Sequence, residues 1–172
     1  MPKIKIRIGS IEDSISMSII HANSWKKAYQ GLLPDEYLNQ IKDLRWVDMI
    51  NKGLEDNTIK AWVATIEGKV IACTCLGDSR YQGYETQLEL ISMYVLPEYW
   101  NLGAGSLLID EVLKYTVNNS YLEVGLWVLD GNNQAIRFYE KKGFIGNGDT
   151  IQSMIGGKSI TEKRYIKEFV KR

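Results

Sequence analysis

The 172-residue chain is 45% hydrophobic, enough for a substantial core, and reads as a single domain over residues 1–172. Its 21 Lys and Arg balance 21 Asp and Glu, so a formal net charge of zero offers no broad basic surface and no nucleic-acid partner is expected. No apolar run approaches the ~20 residues of a membrane helix, and Lys3, Lys5 and Arg7 break up the first residues, so the expectation is a soluble, cytoplasmic protein with no membrane partner.

Ile4, Ile6 and Ile8 alternate with charged residues as in a half-buried strand that ends at Gly9-Ser10. Ser10, with Asp13 three positions on, predicts a capped helix start. That helix carries Ile11, Ile15, Ile19 and Ile20 and runs through Trp25 and Tyr29 to Gly31. Pro34 suits the first turn of a second helix bearing Tyr37, Leu38, Ile41 and Leu44. The polar stretch from Asn51 to Thr58, with Gly53 inside it, predicts a loop. Ile59 to Ile66, the turn Glu67-Gly68, and Lys69 to Leu76 predict a β-hairpin. Its second strand carries Cys73 and Cys75, which share a face and read as reduced core thiols. With His21 the lone histidine, no metal site is expected.

A tyrosine-bearing loop from Gly77 to Gln87 leads to a strand, a turn at Pro97, and a glycine loop opening into a helix. Tyr121 to Val128 then predicts a strand parallel to the preceding one, with Leu122, Val124, Leu126 and Val128 on one face. A helix from about Asn133 to Lys142 stops at Gly143, and a hairpin from Phe144 to about Phe169 closes the chain. The order β-αα-β-β-β-α-β-α-β-β implies an α/β domain of the α+β type, with a mixed sheet flanked by helices.

The stretch Leu88 to Lys114 is a device for holding phosphate: glycines let N–H groups approach an anion, and a helix start offers unpaired donors. A dinucleotide fold would want a third glycine where Leu108 stands, and a P-loop would want Lys after Gly105, where Ser106 stands. Both are disfavoured, and close packing of the helix on its strand is the plain structural alternative.

Downstream lies Asn132-Asn133-Gln134-Ala135-Ile136-Arg137-Phe138-Tyr139-Glu140-Lys141-Lys142-Gly143-Phe144. Together with Val95-Leu96-Pro97 and Gly103-Ala104-Gly105, it resembles the GCN5-related N-acetyltransferase (GNAT) family. The family's pyrophosphate motif is Gln/Arg-x-x-Gly-x-Gly/Ala, and its second motif has the form N-x-x-A-x-x-x-Y-E-K-x-G-F. Asn132, Ala135, Tyr139, Glu140, Lys141, Gly143 and Phe144 fall in register with the second. The resemblance implies a single GNAT-like domain with a mostly antiparallel mixed sheet, and acetyl-CoA or a related acyl-CoA as cosubstrate. It also implies a bulged strand pairing with the pantetheine arm at Met93, Tyr94 and Val95, pyrophosphate donors along Asn101, Leu102, Gly103, Ala104, Gly105 and Ser106, and a coenzyme contact at Asn132. Trp100 stands where the family has Gln or Arg and cannot replace their charge or donors; the ligand or a second subunit, in a homodimer, is its alternative neighbour.

The implied chemistry is direct attack of an amine on the thioester. Tyr139, a neutral phenol at pH 7, is by resemblance the group that stabilises the departing thiolate, by hydrogen bonding or with a lowered pKa; core packing is the competing reading. Glu89 is the candidate base, on a strand face with Ile91, Met93 and Val95 where desolvation would raise its pKa. An ordinary strand carboxylate is the alternative. His21 reads as a surface or packed histidine, and the core-like cysteines argue against a ping-pong route. Trp25 and Tyr29, one helical turn apart, are acceptor-pocket candidates or core, as are Tyr81 and Tyr84. No acidic cluster in the sequence marks a polyamine site, and a small-molecule amine and a peptide acceptor stay open. The alternative to an N-acyltransferase is a non-catalytic, regulatory acetyl-CoA-binding module.

Overall fold

The computed structural model describes residues 2–84 and 87–170. Seven strands form one sheet in the order β1-β2-β3-β4-β5-β7-β6, where β1 is Lys5–Ile8, β2 Ile59–Ile66, β3 Lys69–Asp78, β4 Leu88–Val95, β5 Glu123–Leu129, β6 Ile145–Ile155 and β7 Lys158–Glu168. Every neighbouring pair is antiparallel except β4 and β5, which are parallel as a helix between them requires. The mixed, mostly antiparallel sheet expected from the sequence is therefore present.

Helices cover both faces. On one, α4 (Ala104–Asn118) and α5 (Asn133–Lys141) bury Leu108, Ile109, Val112 and Tyr139 against Leu88, Leu90, Val124, Leu126 and Val128. On the other, α1 (Ser14–Ala28) and α3 (Val47–Glu55) bury Met17, Ile20 and Ile50 against Ala61, Val63, Cys73 and Cys75. The two free cysteines share a buried face, and burial pushes both thiols up, that of Cys75 to about 11, so they are inert core residues at neutral pH.

Several boundaries differ from expectation. The first helix ends at Ala28 rather than Gly31, and the second, α2, spans only Asp35–Asn39. Leu38 and Ile41 are buried, but Leu44 is 59% exposed, so its helical spacing carries no core face. The expected loop at 51–58 is largely the second half of α3. Gly53 there marks close packing, since a Cβ would stand 3.0 Å from the Ile59 side chain. β3 continues two residues into the predicted loop, of which Glu85 and Thr86 lie outside the described residues. Leu122 precedes β5 and is 46% exposed; the buried face begins at Val124.

Ser10 and Asp13 behave as the spacing predicts. The Asp13 carboxylate accepts the Ser10 N–H at 2.9 Å and also holds Arg7 through two bonds of 2.7 and 2.8 Å, fixing β1 to the start of α1. The Arg7 hydrogen bonds hold the Asp13 carboxyl below its usual range.

Candidate active site

β4 and β5 pair only at Leu88↔Val124 and Glu89↔Gly125, and then separate. The gap between them opens a cleft of about 480 Å³, walled by β4, β5, the glycine loop, α5 and the end of α1. An irregularity in β4 shapes it. Cys75 pairs with Ser92 but Leu76 with Leu90, so Ile91 is an extra residue, a β-bulge. Side-chain parity flips there: Leu88 and Leu90 face α4, Ile91 turns to the α1 side with Ser92 beside His21, and Met93 and Val95 face α4 again.

The bulge corrects the sequence reading of Glu89. Glu89 does not share a face with Met93 and Val95, and it is not part of the cleft wall. It is 2% exposed, and both its oxygens are engaged by Arg80: the guanidinium donates to Oε1 at 2.7 Å and the Arg80 N–H to Oε2 at 3.0 Å. Alternation along the chain could not reveal this, because the partner comes from the β3–β4 loop and the bulge breaks the period of two.

Main-chain groups beyond the bulge follow from the ladder. The Leu96 N–H donates to Ile71 at 2.9 Å and Ala72 lies opposite Val95, so the groups of Tyr94 face β3 while those of Met93 and Val95 face the cleft. Of the three predicted pantetheine positions, Tyr94 thus has its main chain committed to the sheet. The Val95 carbonyl is also occupied, accepting the Ser24 hydroxyl at 3.1 Å and the Trp100 indole N–H at 2.8 Å. That bond ties the turn back to β4, and Trp100 lines the cleft.

In the glycine loop, Asn101 and Gly103 have positive φ of 63° and 94°, a bend that Gly103 makes without a side-chain penalty. The N–H groups of residues 101–106 have no hydrogen-bond partner among the described residues, and α4 starts at Ala104 with the Leu107 N–H donating to Gly103. The result is a row of free donors at a helix N-terminus, the expected anion cradle. Asn101, Gly103, Ala104, Gly105 and Ser106 line the cleft; Leu102 does not and is 38% exposed. Asn132 also lines it while its Oδ1 caps α5 by accepting the Ala135 N–H at 3.3 Å.

Tyr139 projects from α5 into the same cleft, 9% exposed and packed edge-on against Phe138 and Phe144. Its hydroxyl has no hydrogen-bond partner among the described residues. Burial, reinforced by the Tyr94 phenol, drives its pKa above the ordinary value, which favours a neutral donor across the physiological range.

The end of α1 contributes an aromatic group. Tyr29 lines the cleft, whereas Trp25 does not: its indole N–H donates to the Tyr94 hydroxyl at 2.9 Å, and its ring meets Tyr29 edge-on at 4.9 Å. His21 packs against Tyr94 at 4.7 Å and is 4% exposed, a core residue as one of its readings held. Burial lowers its pKa from 6.5 to about 4. The unfolded chain takes up this proton below pH 6.5 and the folded chain only near 4, so stability is full above 6.5 and falls as the pH drops toward 4. The expected loss is about 3 kcal/mol at most, read as a falling urea midpoint that His21→Asn flattens.

Among the wall residues that the sequence did not single out as site residues, three stand out. Trp127 is flanked by Tyr81 at 5.2 Å and Tyr84 at 5.4 Å, and Phe138 and Lys141 come from α5. Trp127 is an exception to the buried apolar alternation of β5, a signal that alone points only to the opposite sheet face.

The sequence profile of the acetyltransferase (GNAT) family matches residues 22–144. The spermidine N(1)-acetyltransferase of Thermoplasma acidophilum is 28% identical, covering 94% of this chain and 98% of that protein. A crystal structure of PaiA N-acetyltransferase from Thermoplasma acidophilum in complex with coenzyme A superposes with a TM-score of 0.70 at 26% identity, over 95% of this chain and 99% of that one. A GCN5-related N-acetyltransferase from Rhodopseudomonas palustris reaches a TM-score of 0.76 at 18% identity, with 98% of each chain covered, and so shares the fold. With a profile match over most of its length, the chain belongs to the GNAT family of acetyltransferases and is an acyl-CoA-dependent N-acetyltransferase.

Proposed function

We propose that the protein acetylates a small primary amine by direct attack on acetyl-CoA bound between β4 and β5. The single observation that carries this is the continuity of the cleft: free loop donors at one end and the unpartnered Tyr139 hydroxyl further in. In this reading the pyrophosphate sits on the N–H groups of Asn101 to Ser106, with Lys141 available as a cation. The pantetheine arm pairs with the cleft-facing groups of Met93 and with the Val95 N–H, while Tyr94 acts through its phenol and Asn132 through its amide N–H₂. Attack forms the C–N bond and breaks the C–S bond, and Tyr139 hydrogen-bonds the emerging thiolate. A phenol pKa driven upward makes full proton transfer to a thiol of ordinary pKa about 8.5 still less favourable, so stabilisation without transfer is the role that fits.

Tyr29 lines the acceptor side and Trp25 supports it through Tyr94. Glu89 fits a structural ion pair with Arg80 better than a base, because a carboxylate held by a guanidinium and an N–H is poorly placed to collect a substrate proton. The relative that acts on spermidine supports a small amine over a peptide. The deciding experiment measures release of free CoA thiol from acetyl-CoA against a panel of monoamines, polyamines, aminoglycosides and peptides. Turnover with an amine is expected; tight acetyl-CoA binding with no thiol release throughout would favour a non-catalytic coenzyme-binding module.

The Trp100 bond adds a further expectation. Trp100→Phe keeps a ring in the wall but removes the donor to the Val95 carbonyl. One lost hydrogen bond of about 1 kcal/mol predicts acetyl-CoA binding weaker by about fivefold in calorimetry, with kcat little changed.

A further inference from the structure

We infer that Glu162 on β7 receives the acceptor's ammonium group beside the cleft and takes its proton, making the substrate a cationic primary amine. This rests on the acetyl-transfer reading above, which leaves a chemical requirement unfilled. An alkylamine of pKa about 10.4 is protonated at neutral pH and cannot attack a thioester until it loses a proton. The described residues of the cleft wall include no carboxylate.

Glu162 is a carboxylate that the fold ties to the wall residue Trp127 through Tyr81. It lies opposite Leu129 in the β5–β7 ladder, and Arg164 lies opposite Trp127, so Glu162 shares its sheet face with Trp127. The Tyr81 hydroxyl donates to it at 3.3 Å, and the Tyr81 ring packs against Trp127 at 5.2 Å. Burial above all, then the Tyr94 phenol and, more weakly, Tyr139 and the Glu162 charge keep the phenol of the wall residue Tyr29 protonated. Glu162 thus lies within electrostatic reach of Tyr29.

Its charge is also uncommitted. Arg80 pairs with Glu89, and Arg164, 5% exposed, pairs with Glu123 and donates to Gln87. No ion pair among the described residues engages Glu162. Trp127, Tyr81 and Tyr29 add π faces that favour a cation. Burial raises the Glu162 pKa although the Tyr81 bond and the Arg80 charge oppose it, which makes the carboxylate a better proton acceptor. The groups facing it are Tyr81 and Arg80 from the β3–β4 loop, Glu89 from β4 and Tyr29 from the end of α1. Opposite it in the ladders stand the uncharged Leu129 and Ile151.

The protons balance. The ammonium gives one proton to Glu162, and the neutral amine forms the C–N bond as the C–S bond breaks. The nitrogen's second proton passes to the thiolate, giving CoA thiol, and Glu162 releases its proton to water.

The test uses the full chain with n-butylamine and spermidine as acceptors, wild type against Glu162→Gln, with Tyr139→Phe in parallel. The expected result is an acceptor kcat/KM lowered about 100-fold near pH 7, with acetyl-CoA affinity by calorimetry unchanged. The defect should shrink as the pH approaches 10, where the free amine no longer needs a base; a merely structural loss would not follow the amine's titration. An unchanged kcat/KM, or a deficit equal at every pH, overturns the role of Glu162 while leaving acetyl transfer standing. No thiol release by the wild type with either amine, at any pH, overturns this inference; if the wider amine panel is silent too, the acetyl-transfer reading falls with it.

Discussion

Tyr139→Phe is expected to lower kcat about 100-fold while leaving the KM for acetyl-CoA within a factor of about 2, the signature of a donor used in the transition state and not in ground-state binding. The ring stays, so packing against Phe138 and Phe144 is preserved and the thermal midpoint should hold. Only the hydroxyl is lost, and among the described residues it has no hydrogen bond to break. The size of the effect follows from a desolvated setting, where a donor aimed at developing charge counts for more than in water. Burial raises this phenol's pKa, so its ionisation is expected above the pH range in which activity is measured. A kcat unchanged in single-turnover measurements would remove Tyr139 from the chemistry and return it to the core.

The second large effect is on stability. Gly77→Ala places a Cβ 2.5 Å from the Thr58 carbonyl oxygen and 3.2 Å from the Ile91 side chain, which sits at the bulge. The nearer atom is main chain and cannot step aside as a side-chain tip would, so the strand itself must shift. Overpacking of this kind costs about 1–3 kcal/mol, which for a chain of this size lowers the melting temperature by roughly 3–10 °C. Differential scanning calorimetry reads this directly. Since Ile91 is the bulged residue, acetyl-CoA affinity should fall as well; a midpoint within a degree of wild type would show that β3 yields there freely.

Legibility differed by region. The glycine loop, the Asn132 cap and the Tyr139 helix are short continuous stretches whose signals are local, and it is their resemblance to the two GNAT motifs that pointed to the family. The boundaries that moved share one cause: Leu44 and Gly53 were read by period and composition, but packing against Ile59 and the exposure of the α2–α3 connection decided their state.

By itself, then, the sequence determined the element order, the glycine loop and the helix that Asn132 caps, because each depends on φ freedom, capping and periodicity within a few residues. The tertiary structure alone decided the rest. A one-residue bulge at Ile91 inverted the faces of β4, and the early parting of β4 from β5 opened the cleft. Arg80 claimed Glu89, and β7, from the far end of the chain, set Glu162 on the sheet face of Trp127. Ion pairing and strand register are set between segments distant in sequence, where no local pattern records which charges will meet.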